Sequence, residues 1–156
     1  MMNVFFPDEE ITKDDLYFMC AMIERIARTL HIRNKDVVNI MDYMELSKKI
    51  SLASVLHCEN PLQVVEDWVN EYRFSKGTFN ILDIDKTLVD KVPSELQMGK
   101  VYKRLILHTL QENEDYIQGM IRVYNSPICE TIDNYNSSAY YEPTPVIVRS
   151  YYNGGF

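Results

Sequence analysis

Missing from this chain are long apolar runs, cysteine pairs, glycine-rich loops and any excess of basic charge. No apolar stretch approaches the length of about 20 residues that a membrane-spanning helix needs. Residues 1–10, Met-Met-Asn-Val-Phe-Phe-Pro-Asp-Glu-Glu, carry neither the basic region nor the long apolar core of a secretory signal. Cys20, Cys58 and Cys129 are far apart and form no CxxC pair. Such spacing suits a reducing cytoplasm, with each thiol serving as a small hydrophobe. With 5 glycines and 6 prolines, the composition excludes a fibrous or low-complexity chain. The net charge of −7 is spread over both halves, so no polybasic tail or strongly basic face is expected to carry nucleic acid. These absences predict a cytoplasmic globular protein with no membrane partner.

What is present suits that class. Of 156 residues, 46% are apolar and 25% charged, enough for one domain with a real core or for two small packed subdomains. The first half is punctuated as helices. Thr12 and Asp15 make a variant capping box, and Ile11 and Leu16 can close a hydrophobic staple over it. Leu16, Met19, Cys20, Ile23, Ala27 and Leu30 then recur at helical spacing as a buried stripe, with Glu24, Arg25 and Arg28 on the opposite face. This helix should stop near His31. Asn34 is placed to cap a second helix carrying Val37, Val38, Ile40, Met41 and Met44, and a third stretch is predicted over residues 45–57. Asn60-Pro61-Leu62-Gln63 is the strongest helix start in the chain, with Val64, Val65, Trp68, Val69 and Tyr72 on the inner face. Residues 1–77 thus read as four short helices in a bundle-like part.

Residues 78–93 are too apolar for a loose linker, with Ile81, Leu82, Ile84, Leu88 and Val89 available for packing. Ser94 with Gln97 opens a long amphipathic helical region. Val101, Tyr102, Leu105 and Ile106 line it, and Tyr116, Ile117, Met120, Ile121 and Tyr124 continue it, as one bent helix or two. Tyrosines concentrate from Tyr102 onward. Val146 to Tyr152 mixes β-branched and aromatic residues, which predicts a small C-terminal β element paired with residues 138–142. Pro143 and Pro145 would keep that element at a sheet edge. The expected fold is mainly α, with parts 1–77 and 78–156 packed as one unit.

One segment looks like chemistry. Residues 79–90 end an apolar run in Asp83, Asp85 and Thr87, spaced Asp-x-Asp-x-Thr, which resembles the start of the active site in haloacid-dehalogenase-like phosphohydrolases. That resemblance implies Asp83 as the nucleophile toward phosphorus, Asp85 as the acid and Mg²⁺ held by both. It also implies a parallel sheet and further catalytic groups on later strands, for which too little chain follows Asp90. Lys86 stands where that family commonly has Gly. A structural turn is therefore preferred, with no cofactor and no metal expected outside the phosphohydrolase alternative. His31, His57 and His108 are scattered, and His57 and Cys58 as helical neighbours point apart. Arg25, Arg28, Arg33, Lys35, Lys48 and Lys49 surround a possible helix-turn-helix between Ile26 and Ile50, though Asp36, Asp42 and Glu45 dilute its charge. Tyr140, Tyr141, Val146, Val148, Tyr151 and Tyr152 form a candidate interface, because Tyr joins a large apolar ring to one polar end. The competing role for these rings is to cover the long helix of the same chain.

Residues 12–74 resemble a family of small helical bacterial domains of unknown function. The resemblance lies in Leu16-Tyr17-Phe18-Met19-Cys20 with Ile23-Glu24, in Asn34-Lys35-Asp36-Val37-Val38, in Val55-Leu56-His57, and in Leu62 with Val64-Val65-Glu66-Asp67-Trp68-Val69. Ala21 and Met22 separate Cys20 from Ile23, where the family pattern joins Cys to Ile-Glu directly. The resemblance implies an accessory partner of toxin-like enzymes and carries over no catalytic residue. The expected function is a non-enzymatic, cytoplasmic, antitoxin-like or regulatory protein that binds a protein partner or itself. A DNA-binding regulator is the alternative, and a phosphohydrolase the third reading.

Overall fold

The computed structural model describes residues 1–156 and is mainly helical, with 60% of the chain in eight helices. They are α1 (Lys13–Leu30), α2 (Asn34–Ser51), α3 (Ala53–Leu56), α4 (Pro61–Tyr72), α5 (Glu95–Thr109), α6 (Tyr116–Tyr124), α7 (Ile128–Ile132) and α8 (Thr144–Asn153). The β-type pairing is one isolated antiparallel bridge between Met2 and Glu10.

The caps behave as local chemistry dictates. The Asp15 N–H donates to Thr12 Oγ1 at 3.3 Å, and the Thr12 N–H donates back to Asp15 Oδ2 at 2.8 Å. Ile11 and Leu16 are buried beside this box, and His31 ends α1 with a left-handed φ of 54°. The Asn60 side chain accepts the Leu62 N–H to open α4, and Ser94 accepts the Gln97 N–H to open α5. The helical region after Ser94 is two helices, because Leu110 turns extended and Asp115 caps α6 with its own box.

α1 is the hub. It packs against α5, α2, α3 and α4, while α6 lies on α2 and α5, and α8 on α5. Arg28 near the end of α1 meets Glu95 at the start of α5, and Lys103 lies over the Tyr17 ring, so the two helices run antiparallel. Their approach is close at Gly99, where a Cβ would come within 3.0 Å of the Ala21 nitrogen and 3.1 Å of its Cα. One cluster of 32 buried apolar residues draws on both halves of the chain.

Three local expectations change. The stretch predicted over residues 45–57 is present but divided: a helix recapped at Asp42 ends at Ser51, and one further turn follows it. The second helix runs on to Ser51 through a break at Asp42 (φ 66°, ψ 177°), and α3 is a single turn. Asp42 adopts that strained backbone while its carboxylate accepts the Met44 and Glu45 N–H groups, recapping the helix after the break. Of the five apolar connector residues only Ile81 is buried; Ile84 and Val89 are half-buried, Leu82 is exposed and Leu88 is 67% exposed, because the segment makes successive turns rather than a strand with one inward face.

The third change is in the tail, where Val146 to Tyr152 lies in α8 and residues 139–141 form a 3-10 turn in place of the expected β element. Pro145 in the first turn has no N–H to lose there, and Gly154 closes the helix at φ 75° with the Gly155 N–H on the Ser150 carbonyl. No neighbouring strand exists to reward an extended chain. Gly99→Val, although it raises helix propensity, should lower stability by about 1–3 kcal/mol through the α1–α5 contact. Urea unfolding reads this, and an unchanged midpoint would show that the two backbones can separate at little cost.

Candidate functional site

The groups with the most perturbed chemistry meet inside the core. Glu24 on α1 receives the Arg28 Nε at 3.1 Å and the Asn34 Nδ2 at 2.8 Å, and the Tyr135 hydroxyl donates to Glu24 Oε1. Asn34 Nδ2 also reaches Asp133 Oδ2 at 3.2 Å, and the Tyr102 hydroxyl donates to Asp133 Oδ1 at 2.6 Å. Arg28 continues to the Pro93 carbonyl at 2.8 Å and the Tyr135 hydroxyl oxygen at 3.2 Å. One cluster therefore joins α1, α2, α5 and the chain just beyond α7. Glu24, Asn34, Tyr102 and Tyr135 are each 1% exposed.

Two carboxylates and one guanidinium in this volume cannot all be charged cheaply. Burial, reinforced by the neighbouring Glu24 charge, pushes the Asp133 carboxyl up to about 8 despite the opposing hydrogen bonds from Tyr102 and Asn34. Burial likewise pushes the Cys20 and Cys129 thiols up to about 12, so both are packing groups at neutral pH. Asp133 reaches the floor of a cleft of about 110 Å³ between α6, α7 and the start of α2. The cluster ties α1, α2, α5 and the chain beyond α7 together.

The sequence-predicted groups lie elsewhere. Asp83 and Asp85 sit exposed on turns, and Asp85 accepts the Thr87 N–H at 2.9 Å and Thr87 Oγ1 at 2.6 Å. Those Thr87 bonds hold the Asp85 carboxyl below its ordinary range. The parallel sheet that the phosphohydrolase alternative requires is absent, so the three residues form a local turn. No group of three or more His, Cys, Asp or Glu side chains is placed to hold a metal ion. Of the cations considered for a DNA-reading face, Arg28 is buried on Glu24, Lys49 pairs with Glu71 at 2.7 Å, Lys48 pairs with Glu45, and Arg33 stacks 4.1 Å over Phe79.

The tail residues divide between two roles. Tyr140 is buried against Tyr135, while Val146, Val148 and Tyr151 are half-buried on the body. The Tyr151 hydroxyl accepts Arg122 Nη1 at 2.7 Å, and Arg122 also grips Glu114 at 2.6 and 2.9 Å, which ties α8 to α6. Tyr141 and Tyr152 stay open, at 71% and 66% exposure.

A wide opening lies on another face of α1, away from the catalytic and interface residues the sequence points to. A groove of about 640 Å³ runs between α1, α3 and the start of α5, lined by Tyr17, Phe18, Ala21, Met22, Leu56 and Leu96 among others. Phe18 meets the edges of both Trp68 and His57, which fixes one wall. Asp14, Asp15, Glu59 and Arg25 stand at its rim. No local signal marks such a shape, because it arises where the one-turn α3 leaves α1 uncovered. No family model matches the chain, and no curated protein or solved structure was found similar to it.

Two measurements bear on the cluster. With the Asp133 carboxyl pushed up to about 8, the folded state is expected to hold a proton between about pH 4 and 8 that the unfolded chain releases. Stability should therefore decline as pH rises through that window and level off above it. Asp133→Asn should flatten this decline and raise the melting temperature at pH 8; an equal slope in both proteins would place the proton elsewhere. Arg28→Met leaves Glu24 buried without a counter-ion and should cost about 3–5 kcal/mol by urea unfolding.

Proposed function

We propose that this protein is a non-enzymatic interaction protein of the bacterial cytoplasm, an antitoxin-like or regulatory partner of another protein. The observation that carries this is the groove along α1, where aromatic and aliphatic side chains line about 640 Å³ that the chain's own helices leave open. Exposed apolar surfaces rimmed by polar groups mark interaction sites, protein partners among them. Tyr141 and Tyr152 each stay exposed, with the amphipathic rings that interfaces favour, and they suit self-association. The cations between Arg25 and Lys49 are largely engaged within the chain, which favours a protein partner over DNA. No helix is long and apolar enough to cross a membrane. The proposal calls for no cofactor.

Removing residues 138–156 would strip Tyr140 and Ile147 from the core, so point variants are the cleaner test. Tagged wild-type protein should capture a defined partner from its native cell. Leu96→Asp in the groove should lose most of that partner while melting as the wild type does. Tyr141→Ser combined with Tyr152→Ser should shift the mass seen by light scattering toward the monomer. Capture and mass unchanged in every variant would end this account of the function.

A further inference from the structure

Resting on the interaction proposal above, we propose that the groove takes an amphipathic helix of a heterologous partner, about three turns long and with a basic polar face. The chain offers no sheet edge, since its one bridge joins Met2 to Glu10, so an extended segment would find no backbone to pair with. A helix arrives with its backbone bonds already made and needs only an apolar trough. Along α1 the lining runs from Asp14 to Arg25, about 16 Å at the helical rise, which is three turns. Tyr17, Phe18 and Met22 on one side face Leu56 and Leu96 on the others, which suits anchors at i, i+3 or i+4, and i+7.

The charges select the occupant. Asp14 and Asp15 close the end of the groove at the start of α1, Glu59 adds a third carboxylate, and Arg25 stands at the opposite end. A partner helix lying with its positive N-terminus at the acids and its negative C-terminus at Arg25 meets both. Lysines or arginines on its polar face would pair with the rim carboxylates. A second copy of this chain, at a net charge of −7, brings the wrong sign.

Trp68 is the one tryptophan of the chain and lies edge-on to Phe18 at 6.2 Å, so its emission reports on the groove. The probes are three stapled three-turn peptides with one leucine face and a polar face of lysine, glutamine or glutamate. Stapling preforms a helix too short to persist alone. The lysine peptide should bind the full chain about tenfold more tightly than the glutamate peptide, the sum expected of a few rim ion pairs. Added salt should narrow that gap. Leu96→Asp should abolish binding, Asp14→Lys with Glu59→Lys should reverse the order, and Tyr141→Ser should change nothing. Equal binding of all three peptides, or of none, while the native partner is still captured through Leu96, overturns the basic-helix proposal and leaves the interaction proposal standing. Self-association lost in Leu96→Asp overturns it in favour of a second copy. Failure of both peptide binding and Leu96-dependent capture, with the mass of the Tyr141→Ser/Tyr152→Ser variant also unchanged, removes the interaction proposal as well.

Discussion

Glu24 has no route to water, and its bonds to Arg28, Asn34 and Tyr135 are the constraint on which the rest of the structure depends. A carboxylate in an apolar core must be matched in charge and in hydrogen bonds, or the core opens. Matching it fixes Arg28 against the Pro93 carbonyl, and so the entry to α5. It fixes Asn34, and so the angle between α1 and α2. It brings in Tyr135 and Asp133 from the far end of the chain, which places α7 and the 3-10 turn before α8. Having only one cation, the cluster pushes the Asp133 carboxyl toward its neutral form, which would make that proton part of the fold.

The two faces of α1 do different work. Glu24 and Arg28 face inward and set the helices around them, while Tyr17, Phe18, Met22 and Arg25 reach the groove. Ala21 is small because Gly99 of α5 crosses it within van der Waals reach. That close crossing brings the start of α5, and with it Leu96, to the edge of the groove. The interior cluster thus holds rigid the helix that presents the open surface, and a preformed surface costs a partner less ordering on binding.

Local signals were legible and distant ones were not. The caps at Thr12, Asn60 and Ser94 use atoms two or three residues apart, so the chain spells them out. Glu24 and Arg28, by contrast, read as a solvated helix face because their partners are more than 100 residues away for Tyr135 and 65 away for Pro93. Asn34 read as a cap; it is the first residue of α2, and its amide is spent on the two carboxylates. In the tail, β-branched residues outweighed a better signal, the proline at the start and the glycines at the end of α8. Asp83, Asp85 and Thr87 matched a catalytic spacing in letters, but the spacing needs a sheet that an all-helical neighbourhood does not supply. The groove is a relation between α1, α3 and α5, and no single segment encodes it.

The claim that one protonated carboxyl sits beside Glu24 and sets this architecture is open to direct observation. Carbon-13 NMR of aspartate-labelled protein, with Asp133 assigned through Asp133→Asn, follows that carboxyl across pH. The account predicts a protonated signal at pH 6 that ionises near pH 8, accompanied by shifts at Tyr102 and Asn34. An Asp133 signal already ionised at pH 6, titrating near the ordinary aspartate value, would contradict it.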